Sequence, residues 1–199
     1  MHAFICLSIN IIMSFSYPSL LRPNTTEILT CNGQEVTIPK VELQLRRWEG
    51  ANLNNTFGNK SLIDFGGKPV FAELCIYELM LLSGWQARWV EPFGAGAMTP
   101  RHLTRWADVG IGGQQHEPIT DPAMLDLLHK IAQANGNTYA GCWDVVGWLG
   151  EAVLFAELKR HKKDRIQPTQ PRWLEASLQA GLQPANFLLV EWDFTKHSI

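Results

Sequence analysis

The chain has 199 residues, 46% hydrophobic and 18% charged, enough apolar material for one packed core but not for a second full domain. Its formal charge of −2 excludes a uniformly basic nucleic-acid binder, but the charge is uneven: from Lys159 to Arg172 six basic residues stand against one acid, Asp164. Four cysteines without a CxxC pair exclude a thiol metal site or redox couple. Cys75 and Cys142 lie in apolar runs, a usage that fits a reducing, cytoplasmic compartment.

The start, MHAFICLSINIIMSF, carries an apolar run of signal-peptide length, but with no Lys or Arg before it and too short to span a membrane, so a secretory leader is the weaker reading and no membrane partner is expected. Met13 offers an alternative start, which would make residues 1–12 an upstream extension. Residues 1–66 read as an N-terminal arm, partly irregular because of its Asn, Thr, Gly and Pro, with short strands over 27–29 and 35–38. Residues 67–196 read as the folded domain.

That domain opens with KPVFAELCIYELMLLSG, a predicted helix with Pro69 in its first turn and Gly84 just past its end, apolar around nearly the whole circumference and therefore buried. WQARWV reads as a strand, and residues 92–113 as a connection with Trp106 in a short helix. Phe93-Gly94-Ala95-Gly96-Ala97 lacks the third glycine and the GK[ST] of a nucleotide loop and reads as a plain loop. Asp121-Pro122 supplies an N-cap and first-turn proline for a helix whose Met124, Leu125, Leu128 and Ile131 share a stripe and which ends near Asn135-Gly136. The strands CWDVVGWL and AVLFAELK, a helix over 169–180 closed by Gly181, and the strand NFLLVEWDF complete the chain. His2, His102, His116, His129, His161 and His197 show no HExxH or zinc spacing and receive no catalytic role. Among the eight tryptophans, Trp143, Trp148 and Trp173 belong to packed elements, and Trp106 alone stays open as a base-stacking surface.

Gly150-Glu151 fits a two-residue II′ hairpin loop, because glycine takes positive φ at the first central position without a Cβ clash. Leu149 then pairs with Ala152, and counting back sets Asp144 opposite Glu157 on one face, with Cβ atoms ~5 Å apart. Lys159 joins that face with Val146, Trp148, Val153 and Phe155, while Trp143, Val145, Leu149, Leu154 and Leu158 take the other; both faces read as buried. Two opposed acids on a covered sheet repel and resist desolvation unless a cation or a proton sits between them. With no His or Cys beside them, they suit a hard divalent ion, Mg²⁺ or Mn²⁺, which takes its remaining ligands from water and phosphate. Lys159 would then position a water or stabilise charge on a phosphate oxygen. The competing reading is an ordinary Glu157–Lys159 ion pair where the strand leaves the core.

Asp144 followed by Glu157-Leu158-Lys159 across a hairpin resembles the PD-(D/E)XK nuclease superfamily, with Trp143 where the motif has proline. The downstream residues resemble its virus-type replication-repair nuclease (VRR-NUC) branch: a basic stretch, then Asp164, Gln170, Trp173-Leu174 and Gly181. The resemblance covers residues 69–194 and is sharp from 143 to 181. It implies an α/β, restriction-endonuclease-like core of order α-β-[α]-β-β-α-β, a mixed central sheet of about four strands with helices on both faces, plus the N-terminal arm. It also implies a Mg²⁺- or Mn²⁺-dependent nuclease of replication, repair, recombination or restriction, as in a phage or mobile element, with nucleic acid, first of all DNA, as partner. Asp144 and Glu157 are carried over as metal ligands and Lys159 as the catalytic lysine, with Glu73 from the first helix joining them and Glu78 its competitor.

Gln170, on the stripe of Trp173, Leu174 and Ser177, faces inward at the start of its helix and either completes the site or simply opens the helix. Arg160, Lys162, Lys163 and Arg165 would contact the nucleic-acid backbone, or form a solvated charged loop. The alternative functions are a binding or assembly module of the same fold without turnover, and a structural protein whose acid pair is neutralised by Lys159 and Arg160. The oligomeric state is open, a homodimer included.

Overall fold

A computed structural model describes residues 15–54, 57–92 and 94–196; the readings made for residues 1–12, Met13, Phe93 and His197 lie outside these. Residues 25–45 form an antiparallel hairpin, β1 (Thr25–Cys31) and β2 (Gln34–Leu45), turned at Asn32-Gly33. β2 runs on past Pro39 because its partner changes there. β1 faces it through Lys40, and from Lys40 onward the opposite edge pairs with the last strand, so the proline's missing N–H leaves no gap in that second ladder.

A small hairpin follows, β3 (Ile63–Phe65) and β4 (Lys68–Val70), turning at Gly66-Gly67. Pro69 therefore sits in a strand rather than in a helix, and helix α1 (Ala72–Leu82) starts after Phe71, later than predicted. α1 buries Leu74, Cys75, Ile76 and Met80 but exposes Leu82. β5 (Gln86–Glu91) continues into a 3₁₀ turn at Gly94–Ala97 and a short strand, β6 (Arg101–Leu103). Trp106 lies in irregular backbone, not in a helix. It packs against Trp89, Phe71 and Phe57, with centroids 5.7, 5.1 and 5.4 Å away, and so belongs to an aromatic cluster.

Helix α2 (Pro122–Ala134) is capped as the sequence indicates, the Asp121 carboxylate accepting from the Met124 N–H at 3.0 Å. Met124, Leu128 and Ile131 are buried, whereas Leu125 is exposed. β7 (Val145–Leu149) and β8 (Ala152–Arg160) form the expected hairpin: Leu149 opposes Ala152, Val145 opposes Ala156, and Gly150 takes φ +58°. Helix α3 (Thr169–Gln179) and β9 (Phe187–Phe194) complete the fold.

The seven-stranded mixed sheet runs β1-β2-β9-β8-β7-β5-β6, not the expected four or so strands. β1, β2 and β6 are the additions, and their alternating, half-exposed patterns are weak signals beside the apolar runs of β7, β8 and β9. The pairs β2–β9 and β9–β8 are parallel and the others antiparallel. Side chains alternate between two cores. Leu154, Ala156, Leu158 and Val190 join α1 with Met80 and Trp89; Val146, Phe155, Phe187 and Leu189 join α2 and α3 with Trp173.

Two residues leave the faces expected of them. Trp143, just outside β7, turns to the α3 side and meets Phe187 edge-on at 4.9 Å, because the strand period holds only within the strand. Leu149, at the hairpin tip, is exposed. Among the described residues no helix is long and apolar enough to cross a membrane.

Candidate functional site

The end of the β7–β8 hairpin opposite its turn borders a cavity of about 780 Å³. β8 must carry polar groups there, since this end of the strand runs out from between the two cores. Asp144 lies one residue beyond the last pair of the ladder. Its backbone C=O accepts from the Val90 N–H at 2.8 Å and its Oδ2 from the Leu158 N–H at 2.8 Å. The aspartate is thus tied to both neighbouring strands, with its carboxylate at the cavity wall beside Glu157.

Glu157 is 1% exposed. Its Oε1 accepts from the Lys159 ammonium at 2.5 Å and from the Gln170 side-chain amide, while its Oε2 is buried with no hydrogen-bond partner. Burial, and then the adjacent Asp144, push the Glu157 carboxyl well above the usual carboxylate range. Asp144 is raised as well, by burial and by Glu73, against the opposing pull of Lys60, Lys159 and the Leu158 N–H.

Gln170 reaches the site because α3 is anchored beneath it. Trp173 and Leu174 are fully buried, and the Trp143 indole N–H points at the Gln170 carbonyl, 3.5 Å away. Gln170 Oε1 accepts from the Gln167 N–H at 2.7 Å, which fixes the amide so that its NH₂ faces Glu157. Gly141 lets α3 come this close. It has φ +84°, and a Cβ there would lie 2.1 Å from the carbonyl oxygen of Thr169, the first residue of α3.

Glu73, in the first turn of α1, lines the same cavity; Glu78, a turn and a half further on, does not. Glu73 is buried and takes an ion pair from Lys60. Lys60 is the residue that sequence reasoning missed: it stands in an Asn- and Gly-rich stretch with no periodic pattern, and nothing local marks it.

The basic run divides. Lys163 and Arg165 line the cavity, and Lys162 is exposed outside it. Arg160 lies over the rings of Trp192 and Phe194 at 5.6 and 4.6 Å and donates to Ser61 Oγ at 2.9 Å, so it joins β8 to the preceding segment rather than standing in solvent. Asp164 closes the turn after β8, accepting from the Arg160 N–H at 2.9 Å. Cys31, Cys75 and Cys142 are buried free thiols, and among the described residues no three His, Cys, Asp or Glu side chains form a ready metal cage.

Two carboxylates, one with an orphaned oxygen, thus meet an ammonium, a fixed amide and an electropositive rim. Comparison with protein-family models, with curated proteins and with solved structures finds no match.

Proposed function

We propose that this chain is a divalent-metal-dependent nuclease of the PD-(D/E)XK type, hydrolysing phosphodiester bonds of nucleic acid, DNA in the first place, in replication, repair, recombination or restriction. The observation that carries the reading is the convergence of Asp144, Glu157, Lys159 and Gln170 on one cavity rimmed by Lys163 and Arg165. The order α1-β5-β6-α2-β7-β8-α3-β9 also supports it, being compatible with a restriction-endonuclease-like core in which strand β6 and helix α2 are inserted.

Asp144 and Glu157 are the groups that would hold Mg²⁺ or Mn²⁺. They offer hard oxygen donors, and the buried Glu157 Oε2 lacks a partner that a cation would supply. When bound, such an ion polarises a phosphoryl oxygen and lowers the pKa of a coordinated water. The chain's own groups do the rest. Lys159, already aimed into the cavity by Glu157, sets a positive charge where a phosphate oxygen gains negative charge and holds the attacking water by hydrogen bond. Gln170 keeps Glu157 from turning away. Lys163 and Arg165 grip backbone phosphates, which fixes register without reading sequence.

The test is cleavage of single-stranded, duplex and branched DNA and of RNA in Mg²⁺ or Mn²⁺. Activity is expected from the wild-type chain and none from Glu157→Ala or Lys159→Ala with unchanged circular dichroism. Equal cleavage by both variants sinks the assignment. One observation favours a second reading, a nucleic-acid-binding module without turnover: Glu157 Oε1 is already occupied by Lys159 and Gln170. Such a module would bind with steep salt dependence and cleave nothing under any divalent ion.

A further inference from the structure

The cavity mixes charges. The carboxylates of Asp144, Glu157, Glu73 and Asp164 line it together with Lys60 and Ser61 of the 57–61 segment and Arg160 of β8. The segment is held in an unusual shape: Phe57, Gly58 and Asn59 have φ +45°, +82° and +62°, three consecutive left-handed residues, of which Phe57 has a side chain that disfavours it. The surroundings impose that shape. The Phe57 ring packs against Trp89 and Trp106, and just beyond Ser61 the backbone is pinned where the Trp48 N–H donates to the Leu62 carbonyl at 3.1 Å.

The strained turn delivers a row of donors. The Lys60 ammonium lies 5.2 Å from the centroids of both Phe57 and Trp89 and, among the described residues, makes one hydrogen bond, to Glu73, which leaves two of its three N–H groups for another acceptor. Ser61 Oγ accepts from Arg160, which leaves its own proton to give. Among the described residues the Arg160 guanidinium makes one side-chain hydrogen bond, to Ser61, with Asp193 3.8 Å from its buried Nε. Fixed, cationic and rich in free donors, this cluster has the chemistry of a phosphate seat.

We propose that Lys60, Ser61 and Arg160 form a second phosphate-binding subsite that seats a backbone phosphate flanking the one at Asp144 and Glu157, which makes residues 57–61 part of the nucleic-acid site. The proposal rests on the nuclease reading but concerns binding, so it is tested apart from turnover.

Fluorescein-labelled single-stranded and duplex oligonucleotides are titrated by anisotropy in Ca²⁺ over a salt series, with gels confirming an intact probe and Mg²⁺ cleavage measured in parallel. Lys60→Met is expected to weaken binding about tenfold, the equivalent of one charge-assisted hydrogen bond. It should also lower the salt slope by about 0.7–0.9, one phosphate contact. Ser61→Ala, which leaves the Lys60–Glu73 pair intact, should weaken binding several-fold with little change in slope, and Lys60→Arg should restore the slope. Lys130→Met, at an exposed position of α2, serves as control. Melting curves guard against misfolding, and if Lys60→Met unfolds the chain, Ser61→Ala decides alone. Wild-type affinity and slope in these variants overturn the subsite while leaving the nuclease reading intact. A wild-type chain that neither binds nor cleaves overturns both.

Discussion

Glu157→Gln isolates the electrostatic cost of the site. Glu157 is 1% exposed beside Asp144, and its folded-state pKa lies well above the usual range because of burial and that neighbour. The folded chain therefore holds the proton more tightly than the unfolded chain. Stability from this group is fully present below the unfolded pKa of about 4.3 and is lost as pH climbs through the raised folded value. The higher the pH without divalent ions, the more of the wild-type chain is driven to carry two crowded carboxylates. A glutamine is neutral at every pH. Its carbonyl can still accept from Lys159 and Gln170, and its NH₂ takes the place of the orphaned Oε2, beside Asp144. Lys159 keeps Asp144 as a counter-charge. Relief of such a buried charge is worth about 1–3 kcal/mol. At ~2–4 °C per kcal/mol for a chain of this size, that raises Tm by roughly 2–12 °C. The assay is a circular-dichroism melt at pH 8 in EDTA, repeated at pH 4.5, where the gain should shrink. A variant less stable than wild type at pH 8 would refute the reasoning, for it would mean that the Lys159 pairing outweighs the repulsion.

Because protons and a divalent ion compete for the same raised carboxyls, Mg²⁺ should stabilise the wild-type chain more at pH 8 than at pH 5.5 and leave Glu157→Gln almost unmoved; equal shifts at both pH values in a differential scanning measurement would count against binding at this pair. Gly141→Ala should cost more than about 2 kcal/mol in chemical denaturation, since it adds a Cβ 2.1 Å from the Thr169 carbonyl at φ +84°, and it should lower activity further by moving Gln170. Trp173→Ala, which empties a fully buried site under α3, should cost about 3–5 kcal/mol by urea titration. Gln170→Ala should leave the fold in place but reduce cleavage, as a gel assay would read; full activity would show that Gln170 merely opens its helix.

The parts of the fold that were legible in the sequence rest on chemistry with a short reach. Gly150-Glu151 sets a register through the turn itself, and that register carries to the Asp144–Glu157 pair. Asp121-Pro122 likewise starts α2 by a local cap. Misreadings arose where two local signals competed. Pro69 suits a helix start, yet the Gly66-Gly67 turn between IDF and KPV was a hairpin signal that the long apolar run beside it concealed. Pro39 made the second strand look short, because nothing local announces that β2 changes partner at Lys40. Lys60 was invisible for a different reason. Its place depends on three left-handed residues held by aromatic packing with Trp89 and Trp106, residues far along the chain, and no pattern within the 57–61 segment encodes that contact.

The placing of β9 between β2 and β8 has a consequence for the order of events during synthesis. β8, which carries Glu157 and Lys159, leaves the ribosome with one edge already satisfied by β7, while the other waits for a strand made some thirty residues later. The β1–β2 hairpin waits longer still, since its link to the rest of the sheet is the same late strand. Both edges are unpaired until then, and that of β8 belongs to an apolar strand, the kind that pairs with other chains when left open. A nascent chain halted before Phe187 should therefore hold two sheet fragments and no completed cavity. Only the arrival of β9 joins the fragments, so the cavity around Asp144 and Glu157 is not complete until β9 has been made.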